Sequence, residues 1–187
     1  NHGNSENVSD YMYLGQKEYL DVLGAYDWLI EEKAYSSLSI GLVGISTGAL
    51  TATLAFGESD MQAMWLDSAI IDFPMLVENE LGRLGYPKAL ASPAITMGER
   101  IIGINPNEVP PISVASKAGD RPMYLVHGKD DGRISPQHSQ KFYDKAESSN
   151  ANVTLWMVEE GGHVDAVWEH PAEYQNNLVT FFTEALD

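Results

Sequence analysis

Residues 39–50 read Ser39-Ile40-Gly41-Leu42-Val43-Gly44-Ile45-Ser46-Thr47-Gly48-Ala49-Leu50, and this stretch decides the fold. A short apolar run ending on glycine, here 39–44, reads as a parallel strand buried on both faces. From Thr47 onward Ala49, Leu50, Ala52 and Leu54 precede a break at Gly57, which predicts a helix. Between the two stands Gly44-Ile45-Ser46-Thr47-Gly48, a G-x-S-x-G pattern. Reversing from strand to helix in so few residues needs a sharp turn, and the glycines let the backbone crowd there. The turn pushes Ser46 out at the carboxyl end of the sheet, with the helix N-terminus beneath it. The backbone N–H of Thr47 then becomes a donor to any oxyanion formed at Ser46.

The same alternation continues outward. Residues 1–14 are polar and rich in Gly, Asn and Ser, and read as loop. Tyr19, Leu20, Leu23, Tyr26, Leu29 and Ile30 fall on one helical face of 16–33. Further strands are expected around 63–67, 122–126 and 153–158, and further helices at 136–147 and 171–186, the last with Pro171 in its first turn. Strands separated by helices predict parallel βαβ units, an α/β fold covered on both faces, and one domain over 1–187. Residues 73–110 differ in character, with Gly, Pro and Met around short helical pieces at 75–84 and 93–102. They read as a small cap excursion whose Met75, Leu76 and Met97 are candidate substrate-lining residues.

Composition closes off several classes of function. The 187 residues, 44% hydrophobic and 10% aromatic, are enough for an ordinary globular core. Eleven basic against 27 acidic residues give a formal charge of −16. That argues against nucleic acid, whose counterions Lys and Arg must displace, and against anionic lipid. No apolar run approaches the roughly 18 residues of a membrane span. With no cysteine, disulfides, thiol nucleophiles and Cys-ligated zinc are excluded. No secretory signal is visible, which leans toward the cytoplasm and leaves the compartment open. No metal or cofactor motif is found: His163 and His170 are too far apart for an H-E-x-x-H pair, 129–132 lacks further calcium ligands, and no Walker loop occurs.

A serine hydroxyl needs a base before it can attack an acyl carbon. Of the five histidines, His163 follows Glu159-Glu160-Gly161-Gly162 directly after the last strand, where a glycine loop can carry its ring over the sheet. His127 also ends a strand but leads into a turn, while His2, His138 and His170 read as surface residues. A carboxylate must hold the imidazole tautomer and stabilise its cation. The turn His127-Gly128-Lys129-Asp130-Asp131-Gly132 offers two, Asp130 and Asp131. Trp65, Trp156 and Trp168 read as core or rim aromatics.

Together these segments resemble α/β-hydrolases of the esterase, dienelactone-hydrolase and prolyl-oligopeptidase type. Gly44-Ile45-Ser46-Thr47-Gly48-Ala49 is similar to their nucleophile turn and Gly162-His163 to their catalytic G-H. Residues 125–136, Leu125-Val126-His127-Gly128-Lys129-Asp130-Asp131-Gly132-Arg133-Ile134-Ser135-Pro136, resemble their HG-x-x-D-x-x-V-x-P segment. The resemblance places the catalytic acid on Asp131 and gives the order Ser46, Asp131, His163. It implies a cofactor-free serine hydrolase of carboxylic esters, with a peptidase or thioesterase of the same fold, or an inert domain, as alternatives.

Asn1-His2-Gly3-Asn4-Ser5 resembles the family's R-G-H-G-x-S stretch after the fourth strand. By that resemblance the first four strands, and the loop carrying the second oxyanion donor, would precede residue 1. Taking His2-Gly3 itself as that donor site is the weaker reading of the same stretch. Ile40, Gly41, Leu42 and Val43 would then form an exposed apolar edge. Pairing of that edge with a missing N-terminal half, or with a second copy in a homodimer, is the expectation that follows.

Overall fold

A computed structural model describes residues 4, 6, 13–103, 105 and 110–187 of the chain. His2 and Gly3, the weaker oxyanion candidates, lie outside the described residues. Four strands, β1 (Gly41–Ile45), β2 (Ala63–Asp67), β3 (Met123–Gly128) and β4 (Val153–Val158), form one sheet in the order β1-β2-β3-β4. Each neighbouring pair is parallel, with Val43 opposite Trp65, Trp65 opposite Tyr124 and Val126 opposite Trp156. Helices make the crossovers: α2 (Thr47–Gly57) joins β1 to β2, and α6 (Gln137–Ser148) joins β3 to β4. Between β2 and β3 the chain makes the expected excursion through α3 (Phe73–Arg83), α4 (Ala91–Ile102) and α5 (Val114–Lys117). Helix α1 (Tyr19–Glu31) precedes the sheet, and α7 (Ala166–Glu169) and α8 (Pro171–Leu186) follow it.

Strand side chains alternate in direction, so each strand feeds two cores. Met64, Leu66, Met123 and Leu125 face one side, where Ala49, Ala52 and Phe56 of α2 and Phe142 and Ala146 of α6 cover them. Trp65, Val126 and Val158 face the other, against Ala166 and Tyr174, with Leu178, Phe181 and Phe182 of α8 packed around them. Trp65 is fully buried, stacks on Tyr124 at 4.2 Å between ring centroids, and donates its indole N–H to the Tyr174 hydroxyl at 3.2 Å. Trp156 is half-buried beside His170, whereas Trp168 is 79% exposed and belongs to neither core.

Several boundaries move from the sequence expectation for local reasons. Helix α1 starts at Tyr19, not residue 16, because the Glu18 carboxylate accepts the Tyr13 and Gly15 amides and holds the approach as a turn. Helix α3 starts at Phe73, since Asp72 caps it by accepting the Met75 N–H at 2.9 Å and Pro74 fits the first turn. His138 is no surface residue. Its ring is fully buried and its Nδ1 accepts the backbone amides of Ile71 and Asp72, both at 3.2 Å. The polar run 137–140 concealed that the first turn of α6 is buried by hydrogen bonds, ahead of the apolar contacts of Phe142 and Ala146.

Strand β1 has β2 on one side and, among the described residues, no strand on the other. Val43 and Ile45 are 49% and 44% exposed, so this strand is not buried on both faces as its apolar run suggested, while Ile40 and Leu42, also expected at the edge, are partly buried. The second core gives the fold a direct test. Trp65→Ala should cost about 3–5 kcal/mol of stability in urea titration, from lost burial and an unfilled cavity. A loss under about 1 kcal/mol would mean that α8 closes over the gap.

Candidate active site

A parallel sheet brings the carboxyl ends of its strands to one rim, and three of the candidate residues stand there. Ser46 follows β1 directly and adopts φ 55°, ψ −119°, a left-handed conformation that a side chain tolerates only when its surroundings enforce it. Its N–H is held by the Asp67 carbonyl at 2.8 Å. Gly44 permits the turn. A Cβ there would lie 2.6 Å from both the Ala49 Cα and the Ala52 Cβ, so only glycine lets α2 fold back so tightly. Gly48 differs from the expectation, since a Cβ on it would meet nothing within 4 Å.

His163 reaches Ser46 from the loop after β4. Ser46 Oγ lies 3.0 Å from His163 Nε2, and His163 Nδ1 lies 2.8 Å from Asp131 Oδ2. Because Nδ1 faces a carboxylate it carries the ring proton, which leaves Nε2 free to accept from the Ser46 hydroxyl. The 161–162 loop presses against Gly128, where a Cβ would collide with the Gly161 and Gly162 carbonyls. Asp130 donates its N–H to the Gly161 carbonyl at 2.9 Å, so the acid turn and the base loop are bonded along their backbones.

Of the two candidate carboxylates only Asp131 is turned inward. It is 6% exposed, while Asp130 lies at the surface. Asp131 Oδ1 accepts the amides of Arg133 at 2.9 Å and Ile134 at 2.8 Å. Burial opposes its ionisation, but hydrogen bonds from His127, His163 and these amides outweigh that and hold the carboxyl well below the usual range.

His127, which the sequence reading set aside, stands beside Asp131. It is fully buried, and its Nε2 lies 2.9 Å from the Ile134 carbonyl and 3.2 Å from Asp131 Oδ2. Both are acceptors, so Nε2 is the protonated nitrogen, and Nδ1 accepts from the Ser139 hydroxyl at 2.7 Å. Asp131 is thus bonded by two histidines, one from its own strand and one across the rim. The signal was a histidine closing an apolar strand four residues before the acid.

Thr47 opens α2, where its N–H has no acceptor within the helix. Of the candidate lining residues Met75, Leu76 and Met97, none borders the apolar pocket at the excursion. Leu76 packs on the cluster of Leu50, Leu54, Ile70 and Ile134, and Met97 is 63% exposed. The apolar pocket of about 150 Å³ at the excursion is walled instead by Leu14, Phe73, Val77, Ala94, Ile95 and Ile102, among others. Helix periodicity placed the methionines on α3 and α4 but could not say which face meets the N-terminal segment. Among the described residues no three His, Asp or Glu side chains are grouped to hold a metal ion, and no helix is long and apolar enough to cross a membrane.

Comparison with known proteins agrees with this architecture. The model of the prolyl oligopeptidase family matches residues 8–187. The chain belongs to that family. Among relatives, the uncharacterized protein YfhR of Escherichia coli O157:H7 is 29% identical over 150 residues, covering 78% of this chain and 46% of its own length. The uncharacterized protein YqkD of Bacillus subtilis is 26% identical over 164 residues, covering 85% and 52%. The chain therefore spans about half the length of these curated relatives. The esterase Pf2001 of Pyrococcus furiosus superposes with a TM-score of 0.74 at 24% identity, over 96% of this chain and 66% of that one. The acylaminoacyl peptidase of Pyrococcus horikoshii gives 0.69 at 21%, over 92% and 28%. At these identities the superpositions speak for the α/β-hydrolase fold alone, and that fold, in a family of serine hydrolases, includes both esterases and peptidases.

The buried polar groups give the site's surroundings a pH signature. Burial pushes His138 down to about 4 from its ordinary 6.5. The unfolded chain therefore binds the extra proton first as pH falls, so stability is full above about 6.5 and declines toward 4. This single group should remove up to ~3 kcal/mol across that window. Urea titrations at pH 7 and pH 4.5 should show a smaller pH dependence in His138→Gln than in wild type. Equal dependence in the two would assign the effect elsewhere.

Proposed function

We propose that this chain carries the working groups of a serine hydrolase that cleaves carboxylic esters through an acyl-enzyme. The observation behind the reading is the unbroken line of contacts from Ser46 Oγ through the His163 ring to Asp131, at 3.0 Å and 2.8 Å. Ser46 attacks the acyl carbon while its proton passes to His163 Nε2. The imidazolium that forms faces the Asp131 carboxylate, which stays ionised throughout. The Thr47 N–H, at the positive end of α2, steadies the tetrahedral oxyanion. The same imidazolium gives its proton to the leaving alcohol. Water, deprotonated by His163, then attacks the acyl carbon and releases Ser46.

A peptidase acting on short peptides is the second reading, and the acylaminoacyl peptidase among the structural neighbours favours it. The two differ in the leaving group, since an amine must be protonated as it departs whereas an activated alcohol departs more readily.

A fluorophosphonate probe that phosphonylates activated serines should label the wild-type chain and leave Ser46→Ala unlabelled. His163→Ala should label at least about a hundredfold more slowly. A short p-nitrophenyl ester should be turned over with a kcat/KM at least about tenfold above that of an N-acyl peptide p-nitroanilide. The opposite preference would make the chain a peptidase, and no labelling of a folded wild-type chain would make it an inert domain.

A further inference from the structure

Asp67 and Ser68 close β2, and neither takes part in the proton transfers above. Both side chains are buried, with 1% and 0% of their surface exposed. The Asp67 carbonyl accepts the Ser46 N–H at 2.8 Å, and the Ser68 N–H is held by the Val126 carbonyl of β3 at 3.0 Å. The Ser68 hydroxyl donates to Asp67 Oδ1 at 3.0 Å and accepts the Val164 N–H at 3.2 Å. Two consecutive residues thereby grip the turn carrying Ser46, the strand leading to Asp131 and the residue after His163.

The grip on Val164 has work to do. Val164 has φ 62° and Ser68 has φ 51°, both in the left-handed region, which is costly above all for a β-branched valine. A loop in that conformation relaxes unless something holds it, and His163 would move with it. The hydroxyl of Ser68 has one proton. Fixing it on Asp67 turns the oxygen's lone pairs to the Val164 amide. The Asp67 carboxylate is itself set by burial, which raises its pKa, with the Ser68 and Tyr174 hydroxyls acting against that rise.

We propose that Ser68 and Asp67 are positioning residues, a side-chain clamp on the Val164 amide that keeps the His163 ring within bonding distance of Ser46. The clamp rests on the hydrolase reading for its consequence, though not for its geometry. Two measurements separate the claims: amide hydrogen exchange at Val164, which needs no catalysis, and steady-state turnover of a p-nitrophenyl ester.

In Ser68→Ala the Val164 amide should exchange at least roughly tenfold faster while amides within β2 and β3 keep their protection. Turnover should fall roughly ten- to a hundredfold in kcat with KM within about twofold, as expected when a base is misplaced but binding is not. Ser68→Gly, which accepts the positive φ without strain, should behave alike and serves if the alanine variant folds poorly. Asp67→Asn retains an acceptor oxygen for the Ser68 hydroxyl and should keep most of the wild-type kcat, whereas Asp67→Ala should follow Ser68→Ala. Unchanged Val164 exchange in Ser68→Ala, or an unchanged kcat, would overturn the clamp. A wild-type chain that turns over nothing would end the hydrolase reading, and Val164 exchange would still decide whether the clamp exists.

Discussion

The negative charge on Asp131, buried at the rim of the sheet, is the constraint on which the site depends. A carboxylate removed from water is expensive unless donors surround it. Here two backbone amides take one oxygen and two imidazoles approach the other. The amides come from Asp131's own turn, so that half of the arrangement survives any movement of the loops. The imidazoles do not. His127 belongs to β3 and is anchored by Ser139, while His163 comes from a separate loop and is 19% exposed. The charge therefore draws His163 in, and the ring's second nitrogen is delivered to Ser46.

That delivery needs the parallel sheet. Ser46, Asp67, Asp131 and His163 follow β1, β2, β3 and β4 in turn, or in the case of Asp67 end the strand. Each lies within one or a few residues of a strand of the sheet, β2 and β3 being packed on both faces and β1 on one. Backbone bonds between the loops, from Ser46 to Asp67 and from Asp130 to the 161 carbonyl, tie the rim together without any side chain. Side chains add the finer register. Three of the residues involved, Ser46, Ser68 and Val164, sit at positive φ, so local backbone preference is overruled along this rim.

Much of this was legible in the residues because its causes are local. Gly44 and the change from apolar run to small-residue helix announce the turn at Ser46, since no larger residue would fit beneath α2. The choice of Asp131 over Asp130 was not local. Both sit on the same turn, and only the resemblance to known hydrolases, or the packing that turns one inward, separates them. His138 was misread, and the bonds of His127 were not foreseen, for a related reason: a histidine's burial depends on which carbonyls, amides and hydroxyls other elements bring to it. The Ser68 hydroxyl joins residues 96 positions apart and leaves no periodic trace in sequence. Which residues of α3 and α4 border the apolar pocket at the excursion was not legible either, because the N-terminal segment supplies its other wall.

The chain belongs to the prolyl oligopeptidase family, and the chemistry proposed for its rim rests on one tautomer. Nitrogen-15 NMR of the His163 ring at neutral pH tests that point directly and requires no substrate. The expected result is a proton on Nδ1, bonded to Asp131, with Nε2 unprotonated and open to Ser46. A ring carrying its proton on Nε2 instead would leave Ser46 without an acceptor and contradict the account.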